Sequence, residues 1–337
     1  MAPTPRHSPA RAAFRAVAIA TLAMLAFAGC SKKSGGPTGT NGDNTGEHLV
    51  VYATDQGRTA GDYTIALYDL DVGGFRSLTN LDATGAESQP CLSNDGNFVV
   101  FAATRGSGLT GSDLYVYKRL TQVLIETPGL NTVRDESWPR FTYDSVKLAF
   151  AQKLPTGEKR VRLYEPLGDT LIALPGLDAP GGFDDDMPAP NVDGNRIAFM
   201  SDRAGTPDVF VWDHSLGGVA SVPALASAGI DTEPSLSANG RWLAFASDRT
   251  GGAGGFDIYL YDLVNSTFVT LTGLNGNGDE RHPSVSADGD QIVFQSNRTG
   301  GGGHNDLYHY VRSTGVVDQP TAFKSTGDDI QPYLRSR

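Results

Sequence analysis

The chain has 337 residues, 39% hydrophobic and 19% charged, too apolar for a disordered polymer and too polar for a protein of many membrane spans. A net charge of −11 opposes binding to a phosphate backbone, so no nucleic-acid partner is expected. Two cysteines allow at most one disulfide, and 41 glycines without a Gly-X-Y period point to many tight turns.

Residues 1–15 carry Arg6, Arg11 and Arg15 and no acid, and an apolar run of 14 residues, 16–29, follows. A helical span takes about 20 residues. A basic start, a short apolar run and small residues at its end predict an export signal instead. The boundary Phe27-Ala28-Gly29-Cys30 resembles a bacterial lipobox, with Phe27 where an aliphatic residue is usual. The resemblance implies that Cys30 is lipidated and becomes the mature N-terminus; the alternative is an ordinary signal cut nearby. Ser31 after the cysteine implies, by resemblance to the sorting rule of enteric bacteria, the outer membrane. Residues 31–47 are nearly devoid of apolar side chains and predict a tether with a reach of about 20–25 Å. Loss of residues 1–29 removes three arginines and no acid, taking the net charge from −11 to −14.

The rest of the chain is a sixfold repeat. Prolines recur at 90, 139, 188, 234, 283 and 332. Eleven residues after each of the first five stands a phenylalanine: Phe101, Phe150, Phe199, Phe245 and Phe294. Each ends a short apolar run (98–101, 146–150, 197–199, 242–245, 292–294). A second run follows at 113–117, 161–164, 208–212, 257–261 and 306–310. A weaker third follows at 123–126, 170–174, 219–222, 267–271 and 316–317. Alternation and β-branched and aromatic content predict strands. Between proline and phenylalanine lies a turn (93–96, 142–145, 191–194, 237–240, 286–289), four of the five with Asp-Gly or Asn-Gly, the strongest short hairpin signals. Four-stranded antiparallel units repeated radially predict an all-β propeller.

The first segment after the tether, 48–52, is a second strand, because Tyr52 lies 49 residues before Phe101. Its missing first strand is Gln331-Pro332-Tyr333-Leu334, so the C-terminal strand completes the N-terminal blade and removes an open sheet edge. Six blades result: 48–80 with 329–335, then 86–128, 135–177, 184–225, 230–274 and 279–323. The propeller spans 48–337.

The unit Pro-x-x-Ser-x-Asp-Gly, an apolar strand ending in Phe, Ser-Asp-Arg-x-Gly and Asp-Ile-Tyr resembles the TolB-like, WD40-like propeller repeat. The fullest copy has Ser247-Asp248-Arg249-Thr250-Gly251 and Asp257-Ile258-Tyr259. The inner proline of the family's Ser-Pro-Asp-Gly is absent here, and a tether stands where TolB has an α/β domain. The resemblance therefore implies the propeller module, without a role in the Tol system.

An acid precedes every repeat proline by three: Glu87, Glu136, Asp185, Asp231, Glu280 and Asp329. The topology places all six around one mouth of the channel. They could bind a cation such as Ca²⁺, pair with Arg105, Arg203, Arg249 and Arg298 four residues after the phenylalanines, or present a polar mouth to a partner. The residues just before the prolines vary (Gln89, Trp138, Met187, Glu233, His282, Gln331), so Trp138 and His282 are candidate contacts or channel filling. Cys91 is expected as a small buried residue. There is no Gly-x-Ser-x-Gly elbow, no zinc-protease histidine pattern and no nucleophile–base pair. The expectation is a monomeric, non-enzymatic lipoprotein of the cell envelope, anchored through Cys30, whose propeller binds an envelope protein or peptide without a cofactor. The alternative is a calcium-dependent carbohydrate-binding or carbohydrate-active protein using the acidic mouth.

Overall fold

A computed structural model of the protein describes residues 48–336 apart from 82–84, 105–110, 126, 128, 178–180 and 303. The expected signal (1–29), Cys30, the expected tether and Arg105 lie outside the described residues.

Six antiparallel sheets of four strands surround a central channel. The inner strands are Glu87–Leu92, Glu136–Phe141, Asp185–Pro190, Asp231–Leu236, Glu280–Val285 and Asp329–Ser336. Second strands such as Phe98–Ala103 and Trp242–Ser247 and third strands such as Asp113–Lys118 and Asp257–Asp262 follow outward. The outermost strands are short, down to Gly74–Phe75 in the first blade. Among the described residues the helical segments are three 3₁₀ turns.

The inner hairpin turns are built by side chains as much as by backbone. Ser93 Oγ accepts from Phe98 N at 3.0 Å, Asp95 Oδ1 accepts from Asn97 N at 3.0 Å, and Gly96 N donates to Ser93 O at 2.8 Å. Of the Asp-Gly pair only Gly96 takes positive φ, 69°. Where Ser145 replaces glycine in the third blade it adopts φ 60°, and its hydroxyl accepts from Asn94 N of the second blade.

Each blade buries both faces. Six apolar clusters form, one per blade junction, because alternate residues of a strand point to opposite neighbours. The five repeat phenylalanines sit in them at 0–1% exposure, each contributing about 1.5–3 kcal/mol. A further repeat, in the connections between blades, is Leu81, Leu130, Leu177, Leu225, Leu274 and Phe323, all at most 2% exposed. The strand Asp329–Ser336 pairs with His48–Thr54, matching Val51 to Tyr333 and Thr54 to Asp329. The sixth cluster packs Val50, Tyr52 and Leu334 against Val293, Leu307 and Phe323, which seals the first blade to the last.

Candidate binding site in the channel

The residue before each repeat proline lies in the left-handed region, at φ 49–56°. Proline has no N–H for the ladder, and each inner strand bulges there, as between Ser88 and Cys91. The bulge turns the preceding N–H out of its sheet, and at Gln89, Trp138, His282 and Gln331 a side chain of a neighbouring blade accepts it, whereas Met187 N donates to Asp186 Oδ1 of its own blade. Gln331 Oε1 accepts from Gln89 N at 2.8 Å, Gln89 Oε1 from Trp138 N at 2.7 Å, and Glu233 Oε2 from His282 N at 2.7 Å. One layer deeper, Cys91 Sγ accepts from Phe141 N at 3.4 Å, Ser235 Oγ from Val285 N at 3.0 Å and Ser284 Oγ from Leu334 N at 2.8 Å. Cys91 is buried as expected, and burial pushes its thiol up to about 11. Left-handed non-glycine residues cost about 1–3 kcal/mol each and persist only where surroundings over-determine them; these inter-blade bonds supply that constraint.

Trp138 and His282, from blades three apart, stack across the channel with centroids 5.4 Å apart and planes 25° from parallel. Glu233, buried, accepts from Arg281 Nη2 at 2.6 Å and lies 3.3 Å from His282 Nε2. Burial, the larger effect, lowers the affinity of His282 for a second proton against the pull of Glu233. Arg140 lies 5.8 Å from the Trp138 ring centre and 5.7 Å from that of Tyr333. Farther along, Tyr143 Oη reaches across to donate to Val285 O at 3.3 Å. Side chains thus fill the channel at two levels. Trp138, Met187, Glu233 and His282 line a depression at the first.

The six acids do stand at the same end of all six inner strands, but each is buried to 1% exposure or less rather than facing an open mouth. In three blades the acid pairs with the arginine of its own blade: Asp185 with Arg203 at 2.7 Å, Asp231 with Arg249 at 2.9 Å and Glu280 with Arg298 at 3.0 Å. Each guanidinium also lies 5.1 Å from the repeat phenylalanine, Phe199, Phe245 or Phe294. The third strand adds Phe210, Tyr259 or Tyr308 to the same cluster. Acid, phenylalanine, arginine and outer aromatic form one unit, which explains their common spacing.

The exceptions are chemically consistent. Blade 3 has Leu154 where the arginine would stand. Glu136 accepts instead from Thr132 Oγ1 at 2.6 Å and Gln152 Nε2 at 3.3 Å, while burial raises its proton affinity. In blade 2 the arginine position, Arg105, lies outside the described residues, and Glu87 accepts from Thr64 Oγ1 at 3.3 Å. In blade 1 the arginine position is Gln56, and Asp329 is left without an ion-pair partner among the described residues. The hydroxyls of Thr54 and Ser325 approach Asp329 without well-aligned hydrogen bonds. Burial foremost, then Asp306 and Asp55, push its carboxyl up to about 7. Among the described residues no three His, Cys, Asp or Glu side chains converge as a metal-binding group.

No protein-family model matches the chain, and no curated protein matches it in sequence. Solved structures do match in shape. TolB from Acinetobacter baumannii aligns with TM-score 0.64 and 18% identity over 88% of this chain and 68% of that one. A putative TolB from Agrobacterium tumefaciens aligns with TM-score 0.57 and 17% identity over 86% and 97%. The fold is a TolB-like six-bladed propeller. A propeller in the nidogen/laminin complex follows with TM-score 0.55 and 9% identity over 86% and 98%. At these identities the likeness concerns the fold alone.

In this TolB-like ring the sequence pattern singled out Trp138 and His282 but missed Arg140 and Arg281 beside them and Tyr143 farther along. A signal existed for Arg140. The position after the repeat proline varies as much as the one before it: Cys91, Arg140, Ala189, Ser235, Ser284 and Tyr333.

Proposed function

We propose that this propeller is a protein- or peptide-binding module of the cell envelope, exported by residues 1–29, held at the outer membrane through lipid on Cys30 and free of catalytic activity. The observation that carries the binding reading is the depression at the Trp138–His282 stack, which Met187, Glu233 and Arg140 also line. An aromatic floor with one half-buried ion pair, held in strained backbone, suits a docked loop of a partner. The six acids are buried, so side chains at the bulges set the character of the mouth. Likeness in fold to TolB, and to a propeller in a complex with laminin, supports a binding role.

A calcium ring does not fit this donor set. Three of the six carboxylates are occupied by guanidinium groups, and no triad of ligating side chains forms among the described residues. The test is site-specific photo-crosslinking in cells, with a benzophenone side chain at Met187 and, as control, at Val264 on an exposed outer turn. A discrete protein adduct at 187 and none at 264 is expected. Equal labelling at both, or none at 187, contradicts the reading.

A further inference from the structure

The channel holds a second chamber, one residue layer beyond the Trp138–His282 stack. Arg140, Tyr143, Ser235, Ser284 and Tyr333 line it among proline rings, around a cavity of about 30 Å³ that is partly open to solvent and has room for a small group such as a carboxylate. No acidic residue lines it. Arg140 Nη1 donates to three main-chain carbonyls, of Gln89 and Pro90 at 3.4 Å and Pro139 at 3.0 Å, and the guanidinium contacts two rings. No carboxylate among the described residues pairs with it. Arg203, Arg249, Arg281 and Arg298 each have one.

Two hydroxyls complete the chamber. The oxygens of Ser235 and Ser284 are engaged as acceptors of backbone N–H groups, so their protons are available to another acceptor, and none is present among the described residues. A lone guanidinium with two idle O–H donors, in an acid-free cavity of a protein with net charge −11, is the complement of an anion. One fixed positive charge on a planar fork matches a carboxylate. Burial loosens Arg140's hold on its own proton, as expected of a cation without a counter-charge.

We propose that this chamber binds a carboxylate group, held by Arg140 with the hydroxyls of Ser235 and Ser284. The assignment does not rest on the protein-binding reading, although Arg140 borders both the chamber and the depression at the mouth.

The test is thermal melting of the full chain at constant ionic strength, with chloride replaced by acetate, and separately with triglycine as free acid and as C-terminal amide. With a carboxylate probe at tenfold its Kd, the melting temperature should rise by about 2–4 °C. The amide should give no rise, and Arg140→Gln should abolish the response. Arg140→Lys keeps the charge but loses the fork and should weaken the response. If Arg140→Gln does not fold, tryptophan fluorescence of the wild type and Arg140→Lys at 25 °C replaces it, with the acid quenching or enhancing the wild type more. Response to acetate alone assigns a free small acid, and response to triglycine acid a chain terminus; either supports the proposal. It is overturned by equal responses to acid and amide, by an undiminished response in the Arg140 variants, or by no response to acetate or triglycine in the wild type.

Discussion

Trp138 of blade 3 and His282 of blade 6 stack across the channel at 5.4 Å, a contact made only because the ring closes. Its energetics are measurable by a double-mutant cycle in urea. Trp138→Ala should cost about 3 kcal/mol and His282→Ala less, with a coupling of about 0.5–1.5 kcal/mol between them. Strict additivity would mean that the rings are neighbours without an interaction.

The buried pairs predict an asymmetry between single and double replacements. Arg249→Met leaves Asp231 buried and unpaired and should destabilise by about 3–5 kcal/mol. Arg249→Met with Asp231→Leu should recover most of that loss, since it removes the stranded charge. Denaturant unfolding of the two variants decides; a double variant as unstable as the single would show that packing rather than charge dominates.

Asp329 predicts a pH dependence opposite to that of an ordinary paired carboxylate. Its folded carboxyl is raised to about 7, against about 3.9 when unfolded. The protonated form is the one the fold favours. Its stabilisation is therefore full below about pH 3.9 and is lost as pH rises through about 7. A buried group shifted this far accounts for a few kcal/mol by pH 8. Asp329→Asn should melt higher than wild type at pH 8, and the difference should shrink toward pH 5. Equal pH profiles for the two proteins would contradict the assignment.

Anchoring is tested by Cys30→Ser. The variant should move from the membrane pellet to the soluble fraction on ultracentrifugation while the wild type sediments. Unchanged sedimentation would contradict lipidation at Cys30.

Much of the fold was legible in the sequence because a propeller repeats its physics. The interval from Pro234 to Phe245 spans one strand, one turn and a second strand, and every blade with the same interval repeats them. Tyr52 and Pro332 then fixed closure, since each is one half of the same unit. Depth was not legible. The period places Asp231 at the start of an inner strand but does not say that Phe245, Tyr259 and Arg249 cover it. Nor does it reveal the left-handed backbone at Trp138 and His282, whose N–H groups are satisfied from the neighbouring blade. The stacking of those two side chains depends on the radius of the closed ring, which no local pattern carries.

The mouth, the inner chamber and the buried carboxylate of Asp329 all depend on the ring being sealed by its last strand. The most direct test is a chain ending at Asp328, compared with the full chain by near-ultraviolet circular dichroism and thermal melting. Loss of the pairing between Val51 and Tyr333, and of Leu334 from the junction cluster, should abolish the cooperative transition or lower its midpoint by more than about 10 °C. A truncated chain with the full-length spectrum and midpoint would contradict the account.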